Sequence, residues 1–312
     1  MTPKRIGRIG LAITVSVGTL LGYVLFQALV MVCFFVFVSI GFDGTQEQIM
    51  SIYARHMAEV YLVSAFGYAI ILVAGLLVYK VLKRNSFTDF LKLPRRTGPS
   101  FGLPAAFFLG ATFNLFLSNL IPMIPFKEEW IAENAESVGA FDDSGLLFML
   151  IAHSLAAPLV EELIFRGIIY TGLRKAPILA NRGLCIVVSA VLVSVVFGWF
   201  HGNALQALYC FCFSLILVWL MERTGSVWYP VVAHVGFNTP WIILIFLLPW
   251  YEEKGYLLNT VIFGIVCLGI GIFMALTSCS KRCATSQSGD ADTVNGGGHD
   301  ATCVSGPFSD GE

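Results

Sequence analysis

Charge is what this sequence of 312 residues has least of. Asp, Glu, Lys and Arg together make up 12 %, about half the share of an ordinary soluble domain. Hydrophobic residues reach 57 %, and mean hydropathy is +0.79. A soluble globule of this size has too little interior for that much apolar surface, because its outside needs polar cover. The same figures exclude intrinsic disorder as the main state. A net charge of −1 lacks the basic balance of a nucleic-acid binder. Gly-rich phosphate loops ending in Lys-Ser or Lys-Thr are missing, as is His-Glu-x-x-His, the helical zinc signature. No internal repeat of the kind that marks many transporters is visible. The cysteines (33, 185, 210, 212, 267, 279, 283, 303) lie mainly inside apolar runs or in the tail. None pairs across outer loops, which argues against a disulfide framework.

What the sequence does have is long apolar runs. Stretches of about 18–25 mostly apolar residues read as transmembrane helices, near 9–41, 60–82, 101–122, 144–172, 184–201, 204–221, 226–248 and 257–279. The expected fold is an all-α polytopic membrane protein with about eight transmembrane helices. The first run is too long for a signal-peptide core and has no cleavage pattern, so it is expected to stay as an anchor. Eight crossings put both termini on one side. Of the 19 Lys and Arg residues, only Arg55, Lys127 and Lys254 then fall on the other side, so the positive-inside rule places both termini in the cytoplasm. Residues 1–99 form two N-terminal helices and a basic loop. Residues 100–250 form a helical core, and 251–283 hold the last helix. The tail, 284–312, is Gly-, Ser- and Asp-rich and is expected to be disordered. The outer loop 126–143 carries Glu128, Glu129, Glu133, Glu136, Asp142 and Asp143 and reads as a solvated acidic loop. The spacing of Trp130, Ile131 and Val138 leaves a short surface helix open.

Chemistry in such a chain is sought among the polar groups that the spans tolerate. A charge at mid-bilayer costs about 2.5–3.5 kcal/mol on insertion scales, so those that remain face the bundle interior and serve a function. Three clusters qualify. In Glu161-Glu162-Leu163-Ile164-Phe165-Arg166, Glu162 and Arg166 are four apart with the acid first, the favourable order for a helical ion pair. Glu161 points about 100° away and is left free to act as a base. The bland alternative is a pair of acids marking a helix end. In Phe197-Gly198-Trp199-Phe200-His201, the histidine taken alone reads as a packed interfacial residue. In His234-Val235-Gly236-Phe237-Asn238, the two polar side chains share one helix face. They suit an interhelical clamp, a pair of donors to an oxyanion or part of a metal site.

Glu161-Glu162…Arg166, Phe197…His201 and His234…Asn238, in that order on successive apolar helices, resemble the CAAX-processing and bacteriocin-processing (CPBP, or Abi) family of intramembrane proteases. The resemblance spans about residues 100–250, with no departure at a motif position. It implies an endopeptidase acting on a membrane-associated peptide or protein. The family's prenyl-protein endopeptidases cut a C-terminal tripeptide from a prenylated Cys, while its prokaryotic members are linked to peptide processing and bacteriocin self-immunity. By resemblance, Glu161 would deprotonate the attacking water. His201 would help to hold that water and later pass a proton to the leaving amine. His234 and Asn238 would stabilise the oxyanion, with Glu162 and Arg166 supporting them. Glu161, His201, His234 and Asn238 also make a chemically plausible Zn²⁺ set, although a metal-free site fits the same four residues and is preferred. The partners expected are the lipid bilayer and a membrane-attached substrate, with no nucleic acid, in a bacterial cell membrane.

Straight crossings would set Glu161 and His201 roughly 20–25 Å apart at 1.5 Å per residue. To bring them together, span four must run on to about Thr171. Span five must then start outside the bilayer near Pro177 and end within it at Gly202-Asn203, where a wet cavity would tolerate a helix end. Two other classes use the same residues. One is a proton- or ion-coupled transporter with Glu161, His201 and His234 as a relay, and the other is a noncatalytic membrane scaffold.

Overall fold

A computed structural model describes residues 3–41, 44–56, 59–60, 62–71, 73, 101–139, 146–176, 179, 181–247 and 255–290. Among these residues there is no strand. The helices are α1 (Pro3–Gly41), α2 (Gln46–Arg55), α3 (Leu62–Ile71), α4 (Leu103–Leu120), α5 (Glu128–Gly139), α6 (146–175), α7 (Arg182–Trp199), α8 (Ala204–Thr224), α9 (Trp228–Leu247) and α10 (Tyr256–Asp290). The protein is an all-α polytopic membrane protein. Five of its described helices, α1, α4 with its 3₁₀ extension, α7, α8 and α10, are long and apolar enough to cross a membrane. α6 and α9 fall where two further spans are expected. Of the run at 60–82, helix is described only as far as residue 73; most of the remainder lies outside the described residues.

The packing follows from small residues. A Cβ on Gly110 of α4 would stand 1.8 Å from the carbonyl oxygen of Ala233 in α9, and one on Gly236 would stand 2.1 Å from that of Phe107. These two glycines let α4 and α9 touch backbone to backbone, the close approach that stabilises helix pairs in lipid. Gly198 does the same for α7 against α8, where a Cβ would meet the Ala207 carbonyl at 2.5 Å. α10 lies on the far side of α4, and α1 packs against the second half of α6.

α6 is one continuous helix with two π-helical stretches, Leu150–Ala156 and Leu163–Tyr170, on either side of the α-helical Ala157–Glu162. Pro158 sits at the start of that middle segment. It has no N–H to give to the preceding turn, which is where a helical ladder loosens. The wider π spacing also lets the Thr171 hydroxyl donate to the Arg166 carbonyl five residues back, at 2.8 Å.

Several boundaries differ from the sequence expectation. α6 continues to Lys175. α7 starts at Arg182 rather than near Pro177, because Asn181 caps it by accepting from the Leu184 amide at 3.0 Å. The chain then turns at Gly202, with φ of 86°, into Asn203, whose side chain accepts from the Gln206 amide at 2.7 Å and caps α8. A positive φ is strained for residues other than glycine. The acidic stretch from 128 is a helix, not a loop: Glu128 and Glu129 occupy its first turn, where acids favour the helix dipole. α10 runs to Asp290, past the point where the tail was expected to lose order. A formed helix propagates more easily than it nucleates. Residues 291–312 lie outside the described residues.

Candidate active site

The Glu162–Arg166 pair stands as its spacing predicts. Arg166 Nη1 donates to Glu162 Oε1 at 2.8 Å, and both side chains are fully buried. A buried ion pair needs further polar partners to be tolerated; α8 and α7 supply some, while Arg166 Nε and Glu162 Oε2 have no hydrogen-bond partner. Arg166 Nη2 donates to Ser214 Oγ at 2.8 Å, and the guanidinium lies 4.4 Å over the Phe197 ring, a cation–π arrangement.

Glu162 has a second partner that helix spacing does not reveal. His234 Nδ1 lies 2.8 Å from the same Oε1. An arginine-paired carboxylate accepts, so Nδ1 carries the proton and Nε2 points its lone pair elsewhere. It points toward Glu161, whose Oε2 is 4.0 Å away. Glu161 Oε2 is buried and has no hydrogen-bond partner. The His234 ring is held edge-on between Phe197 and Phe213, with centroids at 5.8 and 5.5 Å.

His201 follows the same logic with a simpler support. Its Nδ1 donates to the Phe197 carbonyl at 2.7 Å, since a carbonyl oxygen only accepts, and Nε2 is left as an acceptor. Asn238 Nδ2 donates one of its two protons to the backbone carbonyl of His153 at 2.8 Å. Glu161, His201, His234 and Asn238 all line one cavity of about 1130 Å³. Glu162 and Arg166 lie behind its wall. The approach that straight crossings would forbid is achieved because α7 ends, and the chain turns, beside this cavity.

One geometric expectation changes in detail. His234 and Asn238 share a face, but the single N–H of a neutral His234 is committed to Glu162, and one Asn238 proton is committed to His153. Toward the cavity this leaves one amide N–H from Asn238 and, from His234, an acceptor unless the ring is doubly protonated. Among the described residues, no three His, Cys, Asp or Glu side chains are gathered closely enough to hold a metal ion. The described cysteines, Cys33, Cys185, Cys210, Cys212 and Cys267, are free thiols.

Residues 143–240 match the family model described as type II CAAX prenyl endopeptidase Rce1-like, and the match encloses all seven motif residues. This segment resembles a CPBP-family protease core. The chain is also 26 % identical, over 184 residues, to the candidate membrane peptidase YdiL of Bacillus subtilis (strain 168). That alignment covers 58 % of this chain and 70 % of the relative. No solved structure matches. The protein is accordingly a CAAX-protease-like membrane hydrolase.

The matched segment includes positions that the motif spacing leaves out. Ser214 accepts from Arg166 Nη2 from another helix, 48 residues away in sequence. His153 accepts from Asn238 through its carbonyl and lines the cavity with its side chain. Outside the matched segment, α5 closes over one end: its Ser137 hydroxyl accepts from Asn203 at 3.2 Å, and its Asn134 side chain accepts from the Tyr209 hydroxyl at 3.4 Å. A signal for α5 was present in the helical spacing of Trp130, Ile131 and Val138, which did not single out Asn134 or Ser137. Ser214, an ordinary hydroxyl in an apolar run, carries no such signal.

Proposed function

We propose that this membrane endopeptidase hydrolyses a peptide bond of a membrane-associated substrate with water activated by Glu161 and His201. The observation that supports the reading best is the convergence of Glu161, His201, His234 and Asn238 on one cavity, with Glu161 Oε2 buried and unpaired beside His234. Glu161 takes a proton from the water as its oxygen bonds to the scissile carbonyl carbon, while the water's other hydrogen is held by the His201 Nε2 lone pair. The oxyanion formed is met by the free N–H of Asn238. It is also met by His234 Nε2–H, in the doubly protonated ring held between Glu162 and Glu161. The proton on Glu161 is then relayed through His201 to the leaving nitrogen as the C–N bond breaks. Glu162, Arg166 and Ser214 fix the orientation of His234. No step is routed through a metal.

Both termini are placed in the cytoplasm, on the basic side of the membrane, and the host membrane is bacterial. The substrate is a peptide segment attached to the bilayer. In the family model's description the bond cut belongs to a prenylated CAAX protein, and this chain needs only a membrane-anchored peptide. The test uses the full-length protein in liposomes with quenched, membrane-anchored peptides, with and without a strong chelator. Cleavage that persists at an unchanged rate in chelator is expected. Activity lost in chelator and restored by Zn²⁺ would contradict the metal-free site, and absence of cleavage of any anchored peptide would contradict the peptidase reading.

A further inference from the structure

The catalytic cavity sits at one end of the helix bundle, and which end decides which polypeptides can reach it. Its walls include Ile121 and Pro122 at the end of α4, Asn134 and Ser137 on α5, and the turn from Trp199 to Asn203. Among the described residues, no Lys or Arg lines it. On α8 the distances can be read along the axis. Cys210, in the cavity wall, lies six residues, about 9 Å, from the start of α8 and fourteen residues, about 21 Å, from its other end at Thr224. The remote end is the basic one. There Arg174 and Lys175 close α6, Arg182 opens α7 and Arg223 ends α8. The cavity end carries instead the exposed acids of α5, Glu128, Glu129, Glu133 and Glu136, against a single Lys127. α5 hangs across this end by its hydrogen bonds from Asn203 and Tyr209.

We infer that the active site opens to the extracytoplasmic face. Its substrates are therefore exported peptide segments that are anchored in or pressed onto the outer leaflet, not cytoplasmic protein tails. Basic residues are retained on the cytoplasmic side, and the cavity is at the opposite end from them. A scissile bond presented at the outer surface has only the α5 rim to pass, whereas one presented from the cytoplasm meets the packed helix ends, about 21 Å of α8 to Cys210 and about 9 Å of α9 to His234. This inference rests on the peptidase reading for the word substrate, but the direction of opening does not depend on catalysis.

The direction is tested separately from activity. Full-length Glu136→Cys and Lys175→Cys chains, one reporter on the exposed face of α5 and one at the basic end of α6, are treated with a membrane-impermeant maleimide in sealed right-side-out vesicles. Mass spectrometry locates the label. At least tenfold faster labelling of the Glu136→Cys chain is expected, with the order reversed in inverted vesicles. Equal labelling, or the opposite order, overturns the inference. In parallel, an impermeant anchored peptide is added to one side of vesicles containing the wild-type chain. Cleavage only of peptide on the outer side supports the inference, and cleavage only of peptide on the cytoplasmic side overturns it. If detergent-solubilised protein cuts no peptide, the peptidase reading fails, and the labelling pattern alone then decides the direction.

Discussion

Two carboxylates, Glu162 on α6 and Glu222 on α8, are both neutralised by arginines, yet only one stands next to the proposed chemistry. Glu222 Oε1 accepts from Arg174 Nε at 2.9 Å and from the Tyr170 hydroxyl at 2.7 Å. It ties the basic ends of α6 and α8 together, with 18 % of its side chain still exposed. Glu162 Oε1 accepts from Arg166 and from His234, both at 2.8 Å, with no exposure at all. Each cluster meets the same demand, since a lone charge is expensive away from water. The difference is what stands beside them. Next to Glu162 is a second carboxylate, Glu161, with an oxygen that has no partner and a cavity in front of it. The Glu222 cluster adds no second carboxylate and is a clamp. Burying and pairing an acid is structure; leaving one unpaired beside a pocket is what points to function.

That contrast can be broken at three places. The largest effect is expected from Glu162→Ala, which leaves Arg166 buried with no counter-charge and releases His234. Removing one partner of a buried pair costs about 3–5 kcal/mol. Thermal unfolding in detergent should therefore drop steeply, and peptide cleavage should fail even at temperatures where the variant stays folded. Glu222→Gln removes an equally well-bonded acid far from the cavity. It should destabilise by about 1–3 kcal/mol, the range for hydrogen bonds to charged groups, while cleavage per folded molecule stays within twofold of wild type. A large loss of turnover there would erase the distinction between clamp and site. Tyr170→Phe deletes one hydrogen bond to the clamp and should cost about 1 kcal/mol. Its signature is a small fall in melting temperature with an unchanged cleavage rate.

The comparison also separates what spacing encodes from what packing decides. The Glu162–Arg166 pair was legible because four residues on a helix bring two side chains together whatever surrounds them. That His234 and Asn238 share a face was legible for the same reason. The Glu162–His234 contact joins residues 72 positions apart, and the Arg166–Ser214 contact joins residues 48 apart. Both depend on how α6, α8 and α9 cross, which is set by close approaches such as that of Gly236 to Phe107. Nothing local to Ser214 announces its role. That the Nδ1 proton of His234 is held by Glu162 follows from this long-range contact, so it could be seen only in three dimensions. The helical interior of 146–175 was legible as one long span, but its two π stretches were not, since hydrophobic periodicity does not distinguish them from α turns. The acidic 128–139 stretch was misjudged because its charge pattern outweighed the face of Asn134 and Ser137 that lines the cavity.

The most direct test is the turnover of Glu161→Gln, a change that keeps the size and the hydrogen-bonding oxygen of the side chain but removes its ability to take a proton. Full-length wild type and Glu161→Gln would be placed in the same liposomes with the same anchored peptide, with melting temperatures measured alongside. A folded variant whose cleavage rate falls by about 10²–10⁴-fold, the usual contribution of a general base, is the predicted result. Cleavage within a few-fold of wild type by a folded Glu161→Gln chain would contradict the proposed site.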